Sequence, residues 1–342
     1  MATSSSSSSS AGRTFVLASR ASQLAQIQTN LVLAALQSLY PPNALDGPTF
    51  STVFMSTAGD KNQAQPLYLL EGKALWTKEL EVALLDHQVD MLVHSLKDVP
   101  TTLPPGCEIG AILEREDPAD VLVVKKGMEG AWKSLDDLPK GSKVGTSSVR
   151  RVAQLRRRFA GILEFVDVRG NLNTRLAKLD DPIGPYSALI LAKAGLVRIG
   201  MGHRITADLS SPILLHAVSQ GALAVEIRSD DAAVRALCAR LMHWQTEYQC
   251  LAERACLRVL EGGCSVPVGV ESALKENENG GASFTLLACV TSMDGQNHVE
   301  KTLTRDVASP GEAEEVGVEV AKALLEGGAK SILDDINRAR NL

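Results

Sequence analysis

Residues 14–39 read TFVLASRASQLAQIQTNLVLAALQSL, from Thr14 to Leu39. Thr14 to Ser19 is a short apolar run of the kind that forms a buried strand. After it, Leu24, Ile27, Leu31 and the Ala34-Ala35 pair recur at helical spacing, which predicts a helix from Gln23 to Leu39. Between the two stand Arg20 and Ser22. A helix leaves its first backbone N–H groups unpaired, so a strand running into a polar corner and a helix can hold an anion there. Ser22 also suits a plain helix cap. Either way, strand followed by helix predicts an α/β architecture.

The same design returns further along. Thr49 to Ser56 reads as a second strand, and a helix should run to about His87. A strand over Met91 to Val93 enters His94-Ser95-Leu96-Lys97-Asp98-Val99-Pro100. That puts a cation beside a carboxylate at a strand end, where open α/β sheets place their ligands. Solvated charge for the Lys-Asp pair and a core position for His94 are the plainer readings. Val121 to Val124 is another strand, with Asp117-Pro118 before it as a hinge. Leu135 to Lys140 reads as a short helix and turn. Lys143-Val144 enters Gly145-Thr146-Ser147-Ser148-Val149-Arg150-Arg151; Ile162 to Val168 ends at Arg169-Gly170-Asn171, with Arg175 a turn later; Ala188 to Leu191 runs to Lys193 and Arg198. Cations delivered repeatedly at strand ends, arginine's rigid fork above all, suit a ligand with many carboxylates.

The totals fit this picture. A chain of 342 residues exceeds one core and predicts two or three domains. Apolar residues at 45% and charged residues at 22% are those of a soluble globular protein. Aromatics at 4% and a net charge of −5 argue against a nucleic-acid surface. The longest apolar run, Leu31 to Leu39, is interrupted by Gln37 and Ser38, far short of a membrane span. The six cysteines (Cys107, Cys238, Cys250, Cys256, Cys264, Cys289) form no CxxC pair, which points to reduced thiols and a cytoplasmic protein, and no metal is implied. The serine-rich tract Ala2 to Ala11 predicts disorder without the repeated arginines of a transit peptide.

The segment His216 to Ile227 can return the chain to the first domain, and one helix from Ala232 to Leu260 leads to a third region. Strands over Val266–Val270, Phe284–Thr291 and His298–Arg305 and a closing helix, Gly311 to Glu326, give a small α+β unit. At its entrance stands Leu260-Glu261-Gly262-Gly263-Cys264-Ser265-Val266-Pro267-Val268-Gly269. Glycines permit a tight turn and close approach, and proline stiffens the far side. Such a loop presents a thiol to something bulky, although a buried cysteine packing as a small hydrophobe has the same sequence.

Taken in order, ASRASQLA, EGKALWTKELE, VHSLKDVP, EREDPAD, VGTSSVRR, VRGNLNTRL, ILAKAGLVRIG and LEGGCSVPVG resemble the porphobilinogen deaminase (hydroxymethylbilane synthase) family from Thr14 to the C-terminus. The resemblance implies two α/β domains like the halves of a type II periplasmic binding protein, plus a small C-terminal α+β domain. The expected division is a tail at 1–13, domain 1 at 14–116 with 217–240, domain 2 at 117–216 and domain 3 at 241–342. It implies a dipyrromethane cofactor held by Cys264 through a thioether, and a transferase that joins four porphobilinogen molecules with loss of ammonia. Asp98 matches the catalytic carboxylate, with Lys97 beside it. Lys97, Ser95, Thr146, Ser147, Ser148, Arg150, Arg151, Arg169, Gly170 and Gly263 match cofactor-binding positions. Arg20, Ser22, Gln28, Lys73, Arg175, Arg198, Gln220 and Gly221 match substrate-binding positions. The family resemblance further implies a monomer with a small-molecule substrate, to which the composition adds the expectation of no nucleic-acid or membrane partner. Ser219 and Ala224 depart from it, standing where glycine is usual.

Two other functions compete with this one. A non-catalytic two-domain carboxylate binder needs neither Asp98 nor Cys264. A thiol hydrolase needs His94 or His216 at the sulfur and leaves the arginines unexplained.

Overall fold

The computed structural model describes residues 12–41, 47–57, 76–260, 266–277 and 281–340. Cys264 and Gly263 of the thiol loop, and Lys73, lie outside them.

Three sheets organise the chain. The first has the order β2-β1-β3-β10-β4 and the second β7-β6-β8-β5-β9. In the first, β1 (Thr14–Arg20) lies parallel to β2 (Thr49–Met55) and β3 (Met91–Ser95). A late strand, β10 (Leu223–Arg228), runs antiparallel between β3 and β4 (Cys107–Ile112). In the second, β6 (Lys143–Gly145) lies parallel to β7 (Glu164–Val166) and β8 (Ala188–Ala192), and β5 (Asp120–Val124) runs antiparallel between β8 and β9 (Ala207–Leu209). The two sheets thus share one plan, each with its fourth strand reversed. In both, that strand adjoins a crossing between them, so these are the two expected α/β domains.

Period-two alternation explains why both sheets are covered on two faces. Phe15, Leu17, Met91 and Val93 pack against Val32 and Leu36 of the Gln23–Leu39 helix. Ala18 and Leu92 face Leu80 and Leu84 of the Lys78–Leu85 helix. In the second sheet Leu122, Val144 and Ile190 meet Leu155 and Phe159 of the Val149–Phe159 helix, while Val121, Val123 and Leu191 meet Leu176 and Leu179 of the Leu172–Asp180 helix. Each such side chain contributes about 1.5–3 kcal/mol by leaving water. A charge at fully buried Leu122 would therefore break the second domain.

The third sheet, β11 (Val268–Glu276), β12 (Ala282–Thr291) and β13 (His298–Val307), is an antiparallel meander. Phe284, Leu286, Ala288 and Val290 face inward, onto a core that takes Ala252 and Cys256 from the Trp244–Val259 helix and Val316 and Val320 from the Pro310–Leu324 helix. Those helices pack so closely that a Cβ on Gly317 would lie 2.0 Å from the Ala252 carbonyl oxygen.

Four expectations change. The single helix Ala232–Leu260 is two, Ala232–Ala239 and Trp244–Val259, because the His243 N–H bonds the Ile112 carbonyl and its ring caps Thr246. The strand over 162–168 shortens to three paired residues. The closing helix continues past a left-handed Gly328 into Lys330–Arg340. Strands β4 and β9 join the sheets unannounced. Among the described residues no helix is long and apolar enough to cross a membrane.

Candidate active site in the interdomain cleft

A cavity of about 360 Å³ opens between the first two domains, walled at one end by Val266 and Val268 of the third. From the first domain, β1 delivers Arg20, whose guanidinium lies 4.1 Å over the Trp76 ring. Ser22 caps the next helix by accepting from the Ala25 N–H. Buried Gln28 bonds the Ser95 hydroxyl at 2.9 Å. At the end of β3 one tight 3₁₀ turn, Leu96–Asp98, buries Leu96 and leaves Lys97 and Asp98 on the cleft wall.

From the second domain, Ser148 caps the Val149–Phe159 helix, and Ser147 donates to the Val168 carbonyl at 2.7 Å. Arg150 and Arg151 both turn to Asp120, at 2.7 and 2.6 Å. Gln220 donates to the same carboxylate at 2.8 Å and accepts from the Lys97 ammonium at 3.2 Å. One buried acid of the second domain is thereby joined, through a crossing residue, to a cation of the first. Arg175 donates to the Gly170 carbonyl at 2.7 Å and Arg198 to the Gly221 carbonyl at 2.6 Å. Gly221 has φ +91°, and a Cβ there would lie 2.2 Å from the Glu116 carbonyl oxygen, so this crossing requires glycine. Across the cleft the Asn173 amide donates to Gln23.

Among the described lining residues are seven cations and one carboxylate, Asp98. Burial pushes the Lys97 ammonium down to about 8, with Arg151 and Arg150 adding to the fall and Asp98 and Asp120 opposing it. Burial likewise brings Arg175 down to about 10, helped by Arg151 and Arg169. Burial works against the charge of Asp120 too, yet Arg150 and Arg151 hold it far below the usual carboxylate range. Desolvated cations that repel one another mark a cleft built for a ligand carrying several negative charges.

Most residues expected at the site converge here: Asp98, Lys97, Ser95, Arg20, Ser22, Gln28, Ser147, Ser148, Arg150, Arg151, Arg169, Gly170, Arg175, Arg198, Gln220 and Gly221 all line the cleft. Thr146 stands behind the wall, its hydroxyl accepting from the Ser148 N–H at 3.3 Å. Lys193, grouped by sequence with the cleft cations, pairs instead with Asp117 and Asp208, both at 2.7 Å. Sequence reasoning missed Asp120. Its signals were its place at the end of the EREDPAD stretch and at the mouth of an apolar strand, directly after a segment read as a hinge.

The family described as "Porphobilinogen deaminase, dipyromethane cofactor binding domain" matches residues 15–236, and "Porphobilinogen deaminase, C-terminal domain" matches residues 247–326. The chain belongs to the porphobilinogen deaminase family. The porphobilinogen deaminase of Yarrowia lipolytica is 50% identical over 323 residues, covering 93% of this chain and 92% of that protein. That of a Nostoc species is 48% identical over 328 residues, covering 96% of each. Among solved structures, an R. palustris protein with adipate has a TM-score of 0.39 at 13% identity, covering 75% of this chain and 85% of that one. A probable amino-acid transporter binding protein of Bacillus subtilis has 0.37 at 11%, covering 72% and 96%. At these scores the likeness adds nothing to the topology above.

The cleft fits the porphobilinogen deaminase cofactor. A dipyrromethane bears acetate and propionate arms, and Arg151 and Arg169 both press on the charge of buried Arg175, with Asp167 and Asp98 opposing them.

Proposed function

We propose that this chain performs the porphobilinogen deaminase reaction in the interdomain cleft, with Asp98 as the carboxylate at which bonds change. It is a transferase that condenses four porphobilinogen molecules, with loss of ammonia, into linear hydroxymethylbilane. The observation that carries the assignment is one carboxylate, Asp98, facing cations drawn from both domains. Dipyrromethane, joined to Cys264 by a thioether, supplies the pyrrole carbon on which the chain starts. Arg150, Arg151 and Arg169, with Ser95, Thr146, Ser147, Ser148, Gly170 and Gly263, hold the cofactor. Arg20, Ser22, Gln28, Lys73, Arg175, Arg198, Gln220 and Gly221 hold the incoming unit and the lengthening chain. Lys97 serves both, its ammonium pushed down to about 8 by burial.

Asp98 accepts from pyrrole N–H groups and stabilises the positive charge that develops as the aminomethyl nitrogen departs. Stabilisation by a fixed charge in a water-poor site is commonly the largest single catalytic contribution. We assign the domains to 14–116 with 217–240, 117–216 and 241–342, and the protein to the cytoplasm as a monomer.

The test is the intact mass of the purified protein beside Cys264→Ala. Excess mass equal to two deaminated porphobilinogen units, absent from the variant, supports the attachment. A bare protein that gains no mass and releases no ammonia when given porphobilinogen would make the cleft a carboxylate-binding module instead.

A further inference from the structure

The turn that carries Lys97 and Asp98 is gripped by a residue that stands outside the cleft wall. Arg254 lies on the Trp244–Val259 helix and is buried. Its guanidinium donates to the Val99 carbonyl at 3.0 Å and to the Pro100 carbonyl at 2.5 Å, and it reaches the Leu96 carbonyl at 3.5 Å. One helical turn earlier, fully buried Cys250 packs in one cluster with Leu96 and Val99. The Leu96 N–H donates to the Ala222 carbonyl of the return crossing at 3.0 Å.

A carbonyl shut away from water needs a donor, or it costs about as much as a lost hydrogen bond. The Leu96–Asp98 turn closes on itself through the Val99 N–H, which donates to the Leu96 carbonyl at 3.2 Å. Val99 is extended, so the chain leaves the 3₁₀ pattern there, and Pro100 has no N–H with which to continue a ladder. The guanidinium supplies donors to both carbonyls. Because its fork is planar and rigid, carbonyls bound to it are fixed relative to one another as well as to the helix. An ammonium, a point charge with rotatable donors, would hold them without fixing that plane. Lys97 and Asp98 stand between Leu96 and Val99, so their backbone cannot shift without loosening the grip.

We propose that Arg254 is a positioning residue for Asp98, holding the turn on which that carboxylate stands to the helix that leads toward Cys264. The inference rests on the condensation reading of this cleft. The helix ends at Val259, just before the Leu260–Gly269 loop in the sequence. The carboxylate and the segment entering the thiol loop thus answer to one rigid element. Stabilising a developing positive charge depends on where the carboxylate stands, and a displacement of about 1 Å can cost on the order of a hundredfold in rate. Arg254 acts only through the backbone of the turn. A residue that merely joined two domains would show its loss in stability and leave each folded molecule fully active.

The test compares the full chain with Arg254→Gln and Arg254→Lys, counting turnover only per molecule that carries cofactor mass. In Arg254→Gln, kcat should fall by roughly ten- to a hundredfold while KM stays within about twofold of wild type, because the groups that hold substrate are untouched. Arg254→Lys should recover most of the denaturant midpoint but only part of kcat, since charge returns without the fork. Amide hydrogen exchange, measured without substrate, gives a second readout. The Leu96 and Val99 amides should exchange faster in Arg254→Gln, with Leu286 of β12 unchanged. If Arg254→Gln does not fold, the same readouts in Arg254→Lys decide the question. Wild-type kcat per cofactor-bearing molecule, or unaltered exchange at Leu96 and Val99, would overturn the proposal. A wild-type chain that never converts porphobilinogen would overturn the condensation reading instead, and the exchange data would still report whether Arg254 fixes the turn.

Discussion

Arg115 closes its guanidinium on the carboxylate of Glu253 with two hydrogen bonds, 2.7 and 3.0 Å, in a pair almost wholly removed from water. Arg115 belongs to the outward crossing between the α/β domains, and its Nε reaches the Gln220 carbonyl on the return crossing. Glu253, on the Trp244–Val259 helix, also accepts from the Ser219 N–H and the Ser272 hydroxyl. A single acid of the third domain therefore fixes both crossings.

Replacing that acid by its amide tests the arrangement. Glu253→Gln keeps the shape but leaves Arg115 buried without a counter-charge, which typically costs about 3–5 kcal/mol. Denaturant midpoints should fall accordingly. A loss below about 1 kcal/mol would mean that water reaches the pair.

Asp120→Asn should act at the site itself. Arg150, Arg151 and Gln220 all converge on this carboxylate. Without its charge the two arginines repel each other, and stability should drop by about 3 kcal/mol. The fraction of protein carrying cofactor mass should drop with it. Full cofactor loading in Asp120→Asn would show that the arginines need no such anchor.

The two departures from family glycines should behave oppositely. Ser219 sits at φ 60°, in the left-handed region, whereas Ala224 is an ordinary residue of β10. Left-handed backbone costs a side-chain-bearing residue about 1–2 kcal/mol, and glycine returns about 0.4–1 kcal/mol of that through the unfolded chain. Ser219→Gly should thus stabilise slightly. Ala224→Gly should destabilise by about 1 kcal/mol through the weakened strand. Paired denaturation curves check both, and the same sign for the two would contradict the backbone argument.

His216 gives a pH signature. Burial pushes its ring down to about 4, with Arg115 and Arg150 assisting and Glu253 opposing. Unfolded, it takes a proton from about pH 6.5 downward. The unfolded chain is therefore protonated first, and stability falls as pH drops from about 6.5 to 4 by up to about 1.4 kcal/mol per unit. Above that window His216 contributes no slope. His216→Asn should flatten the acid decline relative to wild type; identical slopes would mean that the ring is already protonated in the folded protein.

Legibility from sequence followed the range of the interactions. The corners at Arg20-Ala21-Ser22 and at Ser147-Ser148 could be read because a strand end, a cap and the first turn of a helix are neighbours in the chain. The turn carrying Lys97 and Asp98 was legible for the same reason. Strand β4 was not, since Gly110 interrupts its apolar pattern and its partner, β10, comes more than a hundred residues later. The break before Trp244 depends on the distant Ile112 carbonyl. Asp120 and Glu253 resemble surface acids until the partners 30 and 138 residues away are known. Only the fold brings these charges out of water together.

The reversed fourth strand of each sheet sets an order for biosynthesis. Strands β5 to β9 form one continuous run, so the second domain has all of its sheet once Leu209 has been made. The first sheet, although its strands emerge earlier, has a gap between β3 and β4 until Leu223–Arg228 leaves the ribosome. Until then one edge of β3, the strand that ends beside Lys97 and Asp98, is open, and β4 has no partner at all. The arginine wall is thus complete before the carboxylate it faces is set in place.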